Sequence, residues 1–477
     1  VETTPSLDAD ARALSRLGYA QELLRSMGGF SSFALSFSII SVLTGVVTAY
    51  DVAITGGGPA ALGFGWPLVS AGTMLVALAM AELASAFPTA GAMYHWSAVL
   101  GGPGWGWFVA MMNLLGQVAI VAAIDLGCAQ QLVAAWELPD RAALAAFVAI
   151  VVSHGIINLV SLRLVAGLND LSVAVHVVGV IVLVALLTVV GRSHPIGYVF
   201  QTGFTTRADG SYSLGFLGSL LLGMWTFTGF DASAHLSEET HDPARRAPWG
   251  IVLSVGVSAV AGYALVVAIT LAIGDLPATA GDPHPALFVM QHAVGATWGR
   301  AALGLAIVAM WFCGLSAVTS LSRTLYAFAR DGGLPRSREL RRVSQRYRTP
   351  HVAIGVAAAS ALALGLSSAL LSEDRFLAVA SLATTALYVS YGVPIALGAV
   401  ARLRGVWTRK GPWTLGRAGI PVACAAVAWV LFVLGVAALP HGGAYVGLLG
   451  VVASALVLTY RVIVRGRFKG PNAGLRP

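Results

Sequence analysis

The chain of 477 residues is 57% hydrophobic and only 10% charged, with a formal net charge of +8 and a mean hydropathy of +0.80. Soluble domains carry roughly 25% charged residues, so this composition excludes a water-soluble enzyme or binding module. The basic excess sits in short loops between apolar runs, without a groove-binding motif or basic-aromatic patch, and so points to anionic lipid and excludes nucleic acid as its counterpart.

Apolar runs of about 20 residues, the length that crosses a hydrocarbon core, follow one another along the chain. Twelve spans are expected, at 31–53, 61–86, 105–131, 141–160, 170–191, 214–240, 248–274, 300–329, 350–371, 375–401, 418–439 and 442–464. The fold class is therefore an all-α polytopic membrane protein with 12 transmembrane helices. A shorter segment at 282–296 reads as a helical loop. Residues 1–29 are polar and lack an apolar core, so no cleaved leader is expected and the first span is expected to direct insertion. Lys and Arg gather in the tail (Arg12, Arg16, Arg25), at Arg163, at Arg245 and Arg246, from Arg330 to Arg348, in the 402–417 loop and after the last span. All of these fall on one side if the N-terminus is inside, which is the positive-inside asymmetry. Both termini are accordingly expected in the cytoplasm, with the protein in the cell membrane.

Several spans carry residues that lipid does not favour. Span 1, "FALSFSIISVLTGVVTAYDVA", has Ser36, Ser38, Ser41, Thr44 and Gly45 near its middle. Span 3 carries Asn113, Gln117 and Asp125 at spacings of four and eight, hence on one helical face. Span 5 holds His176, and an imidazole there has no water-facing side to occupy. Span 6, "LLGMWTFTGFDASAHL", brings Trp225, Phe227 and Phe230 to a break at Thr228-Gly229 and then acquires Asp231. Ionisable groups inside spans are costly and default to a functional reading. Interruptions at corresponding places in two halves of a chain point to inverted repeats, whose broken helices face a cavity at the midplane.

Other features read as bland. Cys128, Cys313 and Cys424 lie in apolar spans at no metal-ligand spacing, so a disulfide framework is not expected and no metal or other cofactor is implied. The glycine-rich "TGGGPAALGFG" lacks the Lys-Ser/Thr that completes a phosphate loop, and no catalytic constellation suggests an enzyme. His154 and His235 are expected to be structural.

Four stretches resemble the amino acid–polyamine–organocation permeases: "SVLTG" in span 1, "MAELASAFPTAGAMYHW" (80–96), "WTFTGFDASAHLSEETHDPARRAPWGI" around span 6, and "SRTLYAFARDGGLP" (322–335). The wording "FSIISVLTG", "LNDLSVAVH" and "SEETHDP" is most similar to the amino acid/choline branch, which includes GABA and choline permeases. The resemblance implies a five-plus-five inverted-repeat fold of the leucine-transporter type, alternating access around helices 1, 3, 6, 8 and 10, and proton-coupled uptake. It divides the chain into a cytoplasmic tail (1–30), a first repeat (31–191), a second repeat (214–401), two appended helices (418–464) and a C-terminal tail (465–477).

On that basis Ser41, Thr44 and Gly45 are expected to offer amides and hydroxyls to a substrate carboxylate, since a half-helix N-terminus carries unsatisfied N–H groups. Carbonyls near Phe227 and Thr228 would take the ammonium, with Gly229 giving the backbone room. Trp225 and Phe230, more than Phe227, are expected to close over it, and Asn113 and Gln117 to line the site. Asp231 is expected either to couple protons or to cap the second half of helix 6. His176 stands where many family members have a lysine whose charge substitutes for a sodium ion. It is expected either to couple protons reversibly, when protonated bridging helix 5 to the carbonyl end of the first half of helix 1 and to hydroxyls of helix 8 such as Thr319 and Ser320, or to be a neutral ring hydrogen-bonded to a carbonyl. Glu82, Glu238, Glu239, Arg323 and Arg330 are expected to form gate salt bridges and structural pairs, and Asp125 to meet a distal ammonium or pair in the outer vestibule. The expected activity is a secondary active permease importing a small amino acid or amine such as GABA, coupled to protons more readily than to sodium. A choline or polyamine permease, an obligate exchanger and a passive channel of the same fold are the alternatives.

Overall fold

With no water in the bilayer to satisfy backbone groups, each apolar run closes its own hydrogen bonds as a helix. The computed structural model describes residues 5–139, 141–371, 375–439 and 442–471. In chain order its helices are α1 (Pro5–Ser15), α2 (Gly29–Ile40), α3 (Val42–Ala60), α4 (Trp66–Ala86), α5 (Ala92–Gly101), α6 (Pro103–Ala135), α7 (Ala142–Val160) and α8 (Leu162–Val189). They continue as α9 (Tyr212–Ser219), α10 (Leu221–Thr226), α11 (Ala232–His235), α12 (Pro243–Leu271), α13 (Leu276–Gly281), α14 (Pro285–Val294), α15 (Ala296–Arg330) and α16 (Ser337–Leu340). The last four are α17 (His351–Leu371), α18 (Arg375–Leu403), α19 (Gly419–Ala438) and α20 (Gly442–Thr459).

The expected spans map onto these helices. Among the described residues, ten stretches are long and apolar enough to cross a membrane. One of them, Gly29–Ala86, contains both span 1 and span 2, and broken span 6 (α9, α10 and α11) adds the twelfth crossing. Three details differ from expectation. Span 5 starts eight residues earlier than expected, at Leu162, because Ser161 caps the new helix by accepting from the Leu164 N–H. The segment after span 2 forms a separate short helix, α5, whose first residue, Ala92, takes positive φ. The second half of span 6 is also brief: α11 has four residues, after which the chain turns through 236–239.

Helices α2, α3, α6, α10, α11, α15 and α18 surround the middle of the molecule, with α18 lying along α6, α15 along α6 and α12 along α4. The core is thus assembled from helices 1, 3, 6, 8 and 10 of the twelve. At the end that carries both described chain termini, the segment before α2 is stapled to the end of span 6. Ser26 and Met27 donate their N–H groups to the Glu239 carbonyl, and His241 N–H donates back to Met27. Phe468, near the C-terminus, is buried there between Tyr94 and Phe328.

Candidate functional site

The break in span 1 falls at Ser41. Its φ of 33° and ψ of 83° place a non-glycine residue in the left-handed region, separating α2 from α3. Such a residue costs of order 1–3 kcal/mol and persists only where its surroundings hold it. Here its side chain is held on two sides. Ser41 Oγ caps α3 by accepting from the Thr44 N–H (3.3 Å) and pairs with Thr44 Oγ1 (2.5 Å). It also meets His176 Nε2 of α8 at 2.7 Å.

The tautomer of His176 follows from its other nitrogen. Nδ1 lies 2.8 Å from the Ser172 carbonyl, which can only accept, so Nδ1 carries a proton. In the neutral ring Nε2 therefore accepts, and Ser41 O–H donates to it. The ring is fully buried and edge-on to Phe37 at 5.7 Å. The expected contact with helix 8 is not made: Thr319 donates to Asn158 Oδ1 (2.8 Å) and to the Leu315 carbonyl, and Ser320 accepts from Thr324 through its carbonyl. The residue bridging α8 to the break is Ser41 instead.

Gly45 does not offer its amide to a ligand, contrary to expectation. Its N–H donates to the Ser41 carbonyl inside α3, so that amide is not free for a ligand. Its lack of a side chain serves packing, because a Cβ there would lie 2.0 Å from Thr226 Oγ1 of α10. The amides left without helical partners are those of Val42 and Leu43, the first two of α3.

In span 6 the break is at Gly229, with φ of 88°, and a Cβ there would sit 2.1 Å from Ile39 Cγ2. Both facts require glycine. At the end of α10 the Trp225 carbonyl already accepts from Thr228 N and Oγ1. Among the described residues no hydrogen bond uses the carbonyls of Thr226 and Phe227, and Thr226 borders the gap between the breaks.

Asp231 stands at the N-cap position of α11 without capping it. Its carboxylate instead accepts from Tyr391 O–H (2.7 Å, Oδ1) and meets His235 Nε2 (3.1 Å, Oδ2). His235 Nδ1 lies 3.2 Å from the Ala90 carbonyl and 3.0 Å from Thr324 Oγ1. His235 thus pairs with Asp231 at the break and ties it to α15 through Thr324. The signal in the sequence was the spacing of four between Asp231 and His235, which puts them on one helical face.

Asn113 and Gln117 join this network and do not line the gap between the breaks. Asn113 donates to Ser390 Oγ (3.0 Å), while Gln117 contacts Asn113 Oδ1, Thr324 Oγ1 and His235 Nε2 within 3.1 Å. The gap itself is lined by Thr44, Gly45, Trp225, Thr226, Thr228 and Cys313, together with Ile39, Ile40, Ile120 and Ile124. It is closed to about 10 Å³, room for no more than one water. Phe227 points away onto Trp66 (5.1 Å) and Phe230 onto Tyr391 (5.0 Å), so of the three expected aromatics only Trp225 lines the gap.

Trp225 meets Phe376 edge-on at 5.6 Å, and Phe376 in turn borders a cavity of about 630 Å³. That cavity opens away from the chain termini and includes Thr48, Asp51, Gln131 and His284 in its wall. Asp125 is absent from that wall. It is fully buried against His154 (3.2 Å) and Gly314, because its position two turns along α6 turns it towards α7 and α15.

The opposite end is closed by ion pairs. Arg323 makes a two-point contact with Glu239 (3.1 Å twice), both fully buried, and Arg330 makes one with Glu238 (2.7 and 2.8 Å). Tyr19 of the N-terminal segment covers the Arg330 guanidinium at 3.9 Å, and its O–H bonds Asp331. Desolvation, aided by Asp331, pushes the Tyr19 phenol well above its ordinary range, so it stays a donor. Glu82 belongs elsewhere: it pairs with Arg402 (2.7 Å) and accepts from Thr414 and Leu415, tying α4 to the loop after α18.

Two breaks facing one gap, with ion pairs closing one end and a cavity open at the other, agree with what known proteins show. A family model described as amino acid permease matches residues 27–459. The amino-acid permease BAT1 of Arabidopsis thaliana is 34% identical over 91% of this chain and 89% of its own length. Its homolog in Oryza sativa subsp. japonica is 36% identical over 91% and 90%. The GABA-specific permease of Saccharomyces cerevisiae is 29% identical over 89% of this chain and 77% of its own. Among solved structures, the manganese transporter of Eremococcus coleocola superposes with a TM-score of 0.56 at 15% identity, covering 92% of this chain and 94% of that one. That likeness supports the inverted-repeat fold with broken helices 1 and 6. The chain therefore belongs to the amino acid permease family, a multi-pass membrane transporter and not an enzyme.

Proposed function

We propose that this permease imports a small zwitterionic amino acid or amine of the GABA type across the cell membrane by proton-coupled alternating access. Both termini lie in the cytoplasm, and residues 31–191 and 214–401 are the two repeats that move against each other. The observation that carries this reading is the contact between His176 Nε2 and Ser41 Oγ at the break in span 1. With the ring neutral, Ser41 donates to it. Protonation turns Nε2 into a donor, so the Ser41 hydroxyl must reverse and give its own hydrogen to Thr44 Oγ1. That reversal reorganises the left-handed cap of α3 beside the amides of Val42 and Leu43, where a substrate carboxylate would bind. The ammonium would take the free carbonyls of Thr226 and Phe227.

Asp231 with His235 supplies a second proton-holding site, at the other break. The pairs of Arg323 with Glu239 and Arg330 with Glu238 act as the cytoplasmic gate, which is closed here, while Trp225 with Phe376 forms the thin outer one. A quaternary amine needs an aromatic cage, and Trp225 is the one aromatic among the described lining residues of the gap, which favours a zwitterion over choline. The manganese carried by the structural neighbour is not a cargo suggested here, since no three His, Cys, Asp or Glu side chains converge among the described residues.

Uptake of labelled GABA into proteoliposomes tests the reading, with choline, polyamines and a panel of amino acids as competitors in sodium-free buffer. An imposed inward proton gradient is expected to drive accumulation that zwitterions inhibit and choline does not. Accumulation that requires sodium, or counterflow indifferent to the gradient, would replace it with sodium symport or exchange.

A further inference from the structure

Helix α20 stands apart from the rest of the protein. None of the window Gly447–Val464 is buried, and among the described residues its main packing is against α19 and α6. Between it and the start of α6 runs a groove of about 870 Å³. Its wall is apolar along Phe108, Val457 and Leu458, and it ends at Arg461 and Arg465 beside Gly104 and Trp105, the first turn of α6.

The charge at that end is unmatched. From Arg375 to Pro477 the sequence contains no Asp or Glu, although Arg461, Arg465, Arg467 and Lys469 follow one another after the last span. Among the described residues, neither Arg461 nor Arg465 takes part in an ion pair. The helix widens to a π-turn over Tyr460–Val464, and the Arg465 N–H reaches back to the Tyr460 carbonyl. The spacing of four keeps both guanidinium groups on the groove side, where both border it. The first turn of the 33-residue α6 adds unsatisfied N–H groups and the positive end of its dipole. Exposed Trp105, and Tyr460 against Trp107 at 5.9 Å, mark this level as the membrane interface.

We propose that this groove is a binding site for an anionic phospholipid, independent of the substrate path. The phosphate sits between Arg461, Arg465 and the first turn of α6, and one acyl chain lies along Phe108, Val457 and Leu458. The occupant has to supply both a negative headgroup and an apolar chain, because the groove joins an unpaired cationic end to a lipid-level apolar wall. The site holds α20 against the transporter body, which its own few contacts do so weakly.

The test is native mass spectrometry of the full chain released from nanodiscs of phosphatidylcholine alone or mixed with phosphatidylglycerol. Wild type is expected to retain phosphatidylglycerol in preference to phosphatidylcholine. Arg461→Gln/Arg465→Gln should lose that retention by about tenfold or more, since each basic residue near the surface contributes measurably to headgroup binding. Val457→Trp, which fills the groove and leaves both arginines in place, should lose it as well. Substrate counterflow, unchanged in all three, confirms that the variants are folded. Equal phosphatidylglycerol retention by wild type and both variants would overturn the proposal. So would complete competition by inorganic phosphate, which would make the site one for a soluble anion. A wild type that emerges as a dimer without bound phosphatidylglycerol would overturn it too, making a second copy the occupant.

Discussion

The two breaks at the centre of this permease are built from different materials. In span 1 the chain turns at Ser41, a residue that dislikes the conformation, and a hydroxyl network ending on one imidazole holds it there. In span 6 it turns at Gly229, which adopts the conformation freely, and ionisable Asp231 and His235 stand just beyond. The first break is strained and its stability depends on side-chain bonds. The second is unstrained, and its side chains are released for chemistry. On the proposed coupling, a proton at His176 would act on backbone geometry, whereas one at Asp231 and His235 would act on the charge of a network that reaches α6, α15 and α18.

The largest effects should come from exchanging the materials. Gly229→Val places a branched side chain at positive φ and into Ile39, at a combined cost of more than about 3 kcal/mol. Folded yield and the thermal midpoint in detergent should fall sharply. Ser41→Gly should leave the midpoint nearly unchanged, because relief of about 1 kcal/mol of left-handed strain offsets the loss of a cap of similar size. It should nonetheless lose proton-driven accumulation. Equal destabilisation by the two variants would erase the distinction between the breaks.

A smaller change probes the second break alone. Asp231→Asn can still accept from Tyr391 and donate to His235, so the fold should persist. It cannot ionise, so accumulation should drop by about tenfold or more, the scale of one charge-assisted hydrogen bond. Exchange at equal pH should be reduced much less. Smaller again is the contrast between two aromatics five residues or fewer from Gly229. Trp225→Leu should raise KM for uptake with little change in thermal midpoint, because Trp225 lines the gap. Phe227→Leu should lower stability by about 1 kcal/mol and leave KM alone, because Phe227 packs on Trp66.

Much of the architecture was legible in the sequence because each crossing is a run of apolar residues of fixed length, a property local to the chain. The break in span 6 was legible for the same reason: Gly229 and Asp231 are visible anomalies. The break in span 1 was legible only as a run of small and polar residues from Ser36 to Gly45. Gly45 is the residue that looks permissive, but the turn is decided by what surrounds Ser41, and His176 lies 135 positions away. Facing partners were the harder part throughout. Asp125 and Asn113 share a helical face with Gln117, yet their partners on α7 and α18 pull them into separate networks. The pairing of Glu239 with Arg323 and of Glu238 with Arg330 likewise depends on how span 6 ends against α15, which spacing alone does not determine.

On the proposed mechanism, protonation of His176 reverses its hydrogen bond with Ser41 and so couples the gradient to the break in span 1. His176→Gln keeps a polar group near Ser41 without a titrating nitrogen. In proteoliposomes with an imposed inward proton gradient, the variant is predicted to retain substrate counterflow and lose gradient-driven accumulation. Accumulation by His176→Gln at the wild-type level, with the same dependence on the gradient, would contradict the account.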